Sequence, residues 1–310
     1  MLGGLAAVGV AGLAYAHLET KLFTLRRVTV PVLPPGEPDL RVLHVSDLHL
    51  TPTQERKIAW VRSLAALEPH LVVDTGDNLA HRDSLGPVLH ALEPLLELPG
   101  AFVMGSNDYY EPVPKNPARY FLPDARVAPS RPPELPSDEL AEAMTAAGWK
   151  DLTNRRDVVV ADGRRLSLVG VDDPHLDLDE FPTPLVEPVE TRVPSASTSS
   201  TSEVLHLGVA HAPYRRVLDR MHEDGTDVVL AGHTHGGQLC LPGVGALVTN
   251  CDIDRRRAKG LHGWPGPRPD EAGGAGSTWL HVSAGAGTSP YAPVRFACRP
   301  EATLLTFTAR

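Results

Sequence analysis

Four short stretches carry side chains able to bind metal or move protons: Ser46-Asp47-Leu48-His49, Gly76-Asp77-Asn78, Gly105-Ser106-Asn107-Asp108, and His211 together with Gly232-His233-Thr234-His235. They supply carboxylate, imidazole and amide groups and no thiolate. That donor set suits manganese, iron or zinc better than calcium, and is unlike a structural zinc site of the thiolate kind. Asp47 and His49 stand two residues apart, as do His233 and His235, and extended backbone points such pairs to one side. The candidate ligands Asp47, His49, Asp77, Asn107, His211, His233 and His235 exceed what one tetrahedral ion takes. Two divalent ions sharing a carboxylate would use them all, generate a metal-bound hydroxide as nucleophile and clamp a phosphoryl oxygen. Singly the motifs are weak, because Asp-x-His at a strand end is more often a surface feature and Gly-Asp-Asn is a turn signal. All four in this order point to one site.

Each stretch follows a β-rich run: 41–47, 70–77, 101–105, 204–211 and 227–235. Amphipathic segments at 53–69, 85–98 and 214–223 lie between them, an alternation that reads as βαβ units with the ligands at the carboxyl ends of strands. Thirty residues separate Asp47 from Asp77 and thirty more separate Asp77 from Asn107, the length of one such unit. An antiparallel pair is expected about Asp162-Gly163, and 279–285 and 303–309 read as strands. Gly236 and Gly237 are expected to let backbone pass close to the metals. Asp172 and Asp173 would orient ligand histidines or cap a turn. Arg155 and Arg156 read as a solvated turn, with contact to a substrate phosphate as the alternative. His281 reads as a core histidine.

The whole chain has 310 residues, with 42% hydrophobic and 22% charged side chains, enough apolar material for a sizeable core. A net charge of -9 argues against nucleic acid as a partner, which needs a basic stripe to displace counterions. It leaves a phosphate ester open, since bound cations reverse the local sign. Three scattered cysteines, Cys240, Cys251 and Cys298, make neither a disulfide framework nor a Cys-x-x-Cys site. Residues 1–27 form an apolar N-terminal segment whose uncharged first sixteen residues are about 24 Å long as a helix, short of the roughly 30 Å hydrocarbon core. The reading adopted is a membrane anchor or half-buried helix through residues 1–18, giving a membrane-associated protein; a cleaved signal and a soluble packing helix are the alternatives. Residues 38–310 would form one domain with irregular insertions near 112–138, 181–203 and 263–277. The first of these contains Tyr120 and Phe121 and reads as a lid.

In type and order these motifs resemble those of the calcineurin-like metallophosphoesterases, whose blocks run DxH, GDxx, GNH[DE], H and GHxH. The resemblance implies an α/β fold, a four-layer αββα sandwich of two mixed β-sheets flanked by helices. It also implies a dinuclear-metal phosphoester hydrolase, acting on a monoester or diester; a lipid-linked substrate would match the apolar N-terminus. Two divalent ions (Mn, Fe or Zn) would be its cofactors. Asp47, His49 and His235 would hold the first, Asp77 would bridge, and His211 and His233 would hold the second with Asn107 as a further ligand. Gly285-Ala286-Gly287-Thr288-Ser289 and Cys298-Arg299-Pro300-Glu301 are similar to a bacterial membrane-associated branch related to UDP-diacylglucosamine pyrophosphatase. One block departs: Gly105-Ser106-Asn107-Asp108 stands where the family has Gly-Asn-His-Asp. Either Ser106 replaces the ligand asparagine or the loop shifts to present Asn107, the reading preferred here because a neutral hydroxyl is a weak ligand. In both cases the proton-donating histidine is missing, leaving Asp108 and Asn107 as catalytic candidates. The alternative is a catalytically impaired metal-binding scaffold.

Overall fold

The computed structural model describes residues 2–114, 131–183 and 204–310. In chain order the elements are α1 (Leu2–Glu19), β1 (Thr24–Leu33), β2 (Leu40–Val45), α2 (Glu55–Ser63), β3 (Leu71–Asp74), α3 (Leu85–Leu96), β4 (Gly100–Phe102), α4 (Ser106–Tyr109), α5 (Ser137–Ala146) and β5 (Lys150–Asp151). There follow β6 (Arg156–Ala161), β7 (Arg164–Gly170), β8 (Leu205–Ala210), α6 (Arg215–Glu223), β9 (Val228–Ala231), β10 (Cys240–Leu241), β11 (Gly245–Ala246), β12 (Gly260–Trp264), β13 (Thr278–Val282) and β14 (Glu301–Ala309).

One sheet runs β1-β14-β2-β3-β4-β5 and the other β12-β13-β9-β8-β7-β6. Strands β2 to β5 are mutually parallel, as are β7, β8, β9 and β13, while β6 and β12 pair antiparallel to their neighbours and β14 runs antiparallel to β2 and parallel to β1. Alternation along the strands sets the layers. Val42 and Val73 face the other sheet, in a core shared with Leu168, Leu207 and Leu230. Their neighbours Leu43 and Val72 pack under helices α2, α3 and α5, against Val61, Leu92 and Met144. On the far side Val217, Leu218 and Met221 of α6 cover Val229 and Leu280. Strands buried on both faces read as continuous apolar runs, and each fully buried Leu or Val contributes about 1.5–3 kcal/mol. The result is the four-layer αββα sandwich with two mixed sheets.

The N-terminus departs from expectation. Among the described residues no helix is long and apolar enough to cross a membrane, so the membrane anchor through residues 1–18, and the membrane-associated location drawn from it, are corrected. The end of α1 is instead committed to the domain. The Ala16 carbonyl accepts from Arg295 N (2.8 Å), His17 Nδ1 donates to Pro293 O (3.1 Å), and the buried Glu19 carboxylate accepts from Cys298 N (2.7 Å) and Ala297 N (3.1 Å). Residues 24–27, placed in the N-terminal segment by sequence, begin β1 and pair with β14 in register Thr24 to Glu301. Tyr120 and Phe121, and most of the stretch 181–203, lie outside the described residues. Of the stretch 263–277, Gly263 and Trp264 belong to β12 and the remainder connects β12 to β13.

Candidate metal centre

The carboxyl ends of the parallel strands in both sheets meet at one edge, and the ligand-type residues occupy the first turns beyond them. Asp47 follows β2, Asp77 follows β3, Asn107 follows β4, His211 follows β8, and His233 and His235 follow β9. Five of these residues have left-handed backbone: Asp47 (φ 51°), His49 (42°), Asp77 (59°), His233 (66°) and His235 (48°). Such conformations cost of order 1–3 kcal/mol each in non-glycine residues and persist where the surroundings over-determine them, typically at functional sites. The close approach of the loops needs glycine at several points, two of them directly against the donors. A Cβ at Gly105 would overlap Asp77 Oδ1 and sit 2.7 Å from the His211 ring, and one at Gly232 would lie 2.6 Å from Asp47 Oδ2. Gly236 and Gly237 do not serve this purpose, since a Cβ there would meet Cys298 and Ala246 instead.

Donor atoms converge in two overlapping groups: Asp47, His49 and His235, and Asp47, Asp77 and His211, with ligand atoms within 4.8 Å of one another in each. His49 Nε2 is 3.1 Å from His235 Nε2, and His233 Nδ1 is 3.2 Å from His211 Nε2. One oxygen, Asp77 Oδ2, lies 3.4 Å from His49 Nε2 and 3.5 Å from His211 Nε2, so that carboxylate stands between the two groups. Backbone carbonyls fix three of the rings. His211 Nδ1 donates to Thr75 O (2.7 Å), His233 Nε2 to Asn250 O (3.1 Å) and His235 Nδ1 to Gly287 O (3.0 Å). Each bond places a proton on the outer nitrogen and turns the inner one towards the centre, the orientation that metal-ligating histidines use. Facing lone pairs repel unless a cation lies between them, and the donors fit two divalent ions.

The electrostatics show what these groups do without metal. Burial pushes Asp47 up to about 6 and His49 down to about 4. Burial also opposes charge on His211, but Asp77, Asp173 and Asp47 outweigh it and hold this imidazole well above its ordinary value. Asp77 in turn is held well below the usual carboxylate range, because His211 and His49 overcome its desolvation. The pair His211–Asp77 thus carries the proton that metal must displace.

The Gly105-Ser106-Asn107-Asp108 block resolves into two roles. Asn107 turns to Asp77, its backbone N–H donating to Oδ1 (2.7 Å) and Nδ2 to Oδ2 (2.8 Å); half a turn of the amide would present its oxygen there instead. Asp108, a catalytic candidate by sequence, is fully buried, and its two oxygens accept from the backbone N–H groups of Asp77, Asn78, Leu79 and Gly105 at 2.8–3.2 Å. Those four bonds occupy the carboxylate and make it a brace for the Asp77 loop, out of reach of a substrate.

A cleft of about 490 Å³ opens over the donors, with His49, Asp77, Asn107, His233 and His235 in its lining. Sequence reasoning missed three residues here. His175 lines the cleft with its ring centroid 4.4 Å from that of His233 and Nδ1 hydrogen-bonded to Tyr214 OH (3.0 Å). Arg295, fully buried, donates through Nη2 to the carbonyls of Ala284 (2.7 Å), Gly285 (3.0 Å) and Gly287 (2.7 Å), supporting the loop that orients His235. His44 bridges the sheets, Nδ1 to His281 Nδ1 at 2.9 Å and Nε2 to Thr75 Oγ1 at 3.0 Å, behind the Thr75 carbonyl that holds His211. Only the His in Asp172-Asp173-Pro174-His175, again after a strand, left a local trace in the sequence. Asp172 accepts from Tyr109 OH (2.8 Å) and Asp173 from His175 N (2.8 Å). Arg156 is paired with Asp224 (2.6 Å), and Arg155 with Asp151 (2.8 Å), away from the cleft.

The sequence profile of the family described as Calcineurin-like phosphoesterase matches residues 40–237. The chain is similar to an uncharacterised metallophosphoesterase of Aquifex aeolicus, at 30% identity over 251 residues that cover 78% of this chain and 81% of that one. It is 26% identical over 226 residues to the uncharacterised protein YpbG of Bacillus subtilis, covering 72% and 69% of the two chains. It is also 28% identical over 166 residues to phosphodiesterase YaeI of Escherichia coli, covering 54% of this chain and 50% of that protein.

Proposed function

The chain belongs to the calcineurin-like phosphoesterase family and is a hydrolase of phosphate esters dependent on two divalent metal ions; from that premise we propose that its substrate is a phosphodiester. The observation that carries this reading is the lining of the cleft, which among the described residues includes no lysine or arginine. A monoester brings a second negative charge that such sites usually meet with a cationic clamp, whereas a diester brings one. The name of the phosphodiesterase relative is in keeping with this choice.

We assign Asp47, His49 and His235 to one ion, and His211, His233 and the Asn107 amide to the other, with Asp77 shared. The convergence of lone pairs on two foci supports the assignment. Bound there, the ions would acidify water and draw charge from the phosphoryl group. The imidazole and carboxylate donors favour manganese, iron or zinc. Asn107 is placed to hydrogen-bond a phosphoryl oxygen beside Asp77, and His175 offers the cleft an imidazole not assigned to metal. With Asn107 where the family has histidine and Asp108 enclosed, proton delivery to the leaving group is weak, so esters of acidic alcohols should turn over fastest.

The stretches that carry the narrower resemblance to enzymes related to UDP-diacylglucosamine pyrophosphatase brace the metal loops. A Cβ at Gly285 would stand 2.6 Å from Asp47 Cβ, and Glu301 Oε1 accepts from Ala284 N (3.1 Å). The test is a matched pair of esters on manganese-loaded protein: bis(4-nitrophenyl) phosphate should exceed 4-nitrophenyl phosphate in kcat/KM by at least about tenfold. The reverse order would replace the diester reading with a monoesterase. Stoichiometric metal with no ester cleaved would leave a metal-binding scaffold.

A further inference from the structure

Above the metal donors one wall of the cleft comes from the β10–β11 hairpin and its flanks, and from residues 291–294. Leu239, Leu247, Val248, Pro293 and Val294 lie there, and Val113 also lines the cleft. Leu239 is 43% exposed and Val113 42%, so large apolar side chains face solvent at the mouth of a polar site. Four polar side chains beside that wall are engaged by the protein's own backbone. Gln238 Nε2 donates to Ala292 O (2.8 Å), Thr249 Oγ1 to Cys251 O (2.9 Å) and Thr234 Oγ1 to Ala258 O (2.6 Å), while Ser289 Oγ accepts from Tyr291 N (3.3 Å).

From this division we infer that the diester bound here carries an apolar alcohol, aryl or alkyl, seated on the Leu239–Val248 wall, and that a nucleoside or sugar is selected against. The inference rests on the phosphodiesterase reading and names its substrate class. A nucleoside seated on that wall brings several hydroxyls and ring nitrogens that would lose water against apolar side chains, the circumstance in which sites discriminate most strongly. An alkyl or aryl group instead covers exposed Leu239 and its neighbours, each buried methylene being worth roughly fourfold in affinity. A cleft of about 490 Å³ is of the size that encloses such a ligand.

The test holds the leaving group constant. On manganese-loaded protein, 4-nitrophenyl hexyl phosphate should exceed both 4-nitrophenyl methyl phosphate and the 4-nitrophenyl ester of thymidine 5'-phosphate in kcat/KM by at least about twentyfold, mainly through KM. Leu239→Ser and Val248→Ser should shrink the hexyl-to-methyl ratio. A butyl, hexyl and dodecyl series then separates two apolar sources: a plateau at hexyl marks a small alcohol, and a continuing rise marks a long chain. Equal rates for the hexyl and thymidine esters, or a preference for thymidine, would overturn the inference and leave the phosphodiesterase reading intact. Calorimetric titration with hexyl phosphate and thymidine 5'-phosphate reads the same preference without turnover. If no ester is cleaved but hexyl phosphate binds more tightly, the enzymatic reading fails and the apolar wall stands; tighter binding of the nucleotide overturns the wall.

Discussion

The loops after β2 and β3 bring both carboxylates to the metal centre, with the His49 imidazole beside them, whereas those after β8 and β9 bring imidazoles alone. The two halves are held by opposite means. In the carboxylate half the supports are buried carboxyl groups, which desolvation pushes up to about 6 for Asp108 and about 7 for Asp74: Asp108 accepts from four backbone N–H groups around Asp77, and Asp74 Oδ1 accepts from Gly76 N (2.8 Å) and Asn78 Nδ2 (3.2 Å). In the imidazole half the supports are the carbonyls of Thr75, Asn250 and Gly287, which accept protons and so choose the tautomer. A carboxylate ligand needs no tautomer fixed but carries a charge that its loop must tolerate. An imidazole needs only its orientation and its proton placed.

Removing a charged ligand should therefore hurt more than removing a neutral one. Asp77→Ala is expected to lower kcat/KM by more than about 10³-fold and to release metal on analysis, with His233→Ala milder and partly restored by added imidazole. Equal losses would erase the distinction between the halves. Next in size is the brace: Asp108→Ala strands four buried donors, and a loss of about 3–5 kcal/mol in unfolding free energy is expected. Asp108→Asn keeps an acceptor and should lose less, while weakening metal affinity by about 10–100-fold. Denaturant titration and metal titration on the same samples separate the two effects.

On the imidazole side the test is pH. Burial pushes His281 down to about 3, below its unfolded value near 6.5. The stability it contributes is present above pH 6.5 and is lost as pH falls towards 3, because the unfolded chain takes up a proton that the folded chain refuses. His281→Phe removes this loss, so the stability gap between wild type and variant should narrow between pH 6.5 and 4, by at most about 1.4 kcal/mol per pH unit. A gap independent of pH would mean that the His44–His281 pair does not stay neutral. The smallest effect is expected furthest from the metal: Glu19→Gln should cost about 1–2 kcal/mol through its bonds to Ala297 and Cys298, with kcat changed less than by Asp108→Asn.

Much of the site was legible in the sequence because its ligands are written next to the strands that place them. Asp47, Asp77, His211 and His233 each follow an apolar run, and a run buried on both faces is a strand whose end is then fixed. The role of Asp108 was not legible. A carboxylate beside a ligand reads as reactive until its hydrogen-bond partners are counted, and three of the four donors lie 29 to 31 residues away. The N-terminus misled for a related reason. Apolar composition alone does not say what covers a helix, and the groups that hold Glu19 are 278 and 279 residues distant.

By itself the sequence determined the donor types, their order and the βαβ spacing, since these depend on local periodicity and on which residues can bind metal; the four-layer sandwich was implied by the resemblance those motifs carry. The tertiary structure brought His49 to His235 across 186 residues and set Asp77 between two foci, as the resemblance implied, and it alone decided that His175 and Arg295 join the site. It alone showed that one wall of the cleft is apolar. Those features are sums of long-range contacts between two sheets, set by how the layers pack, and no stretch of chain carries them alone.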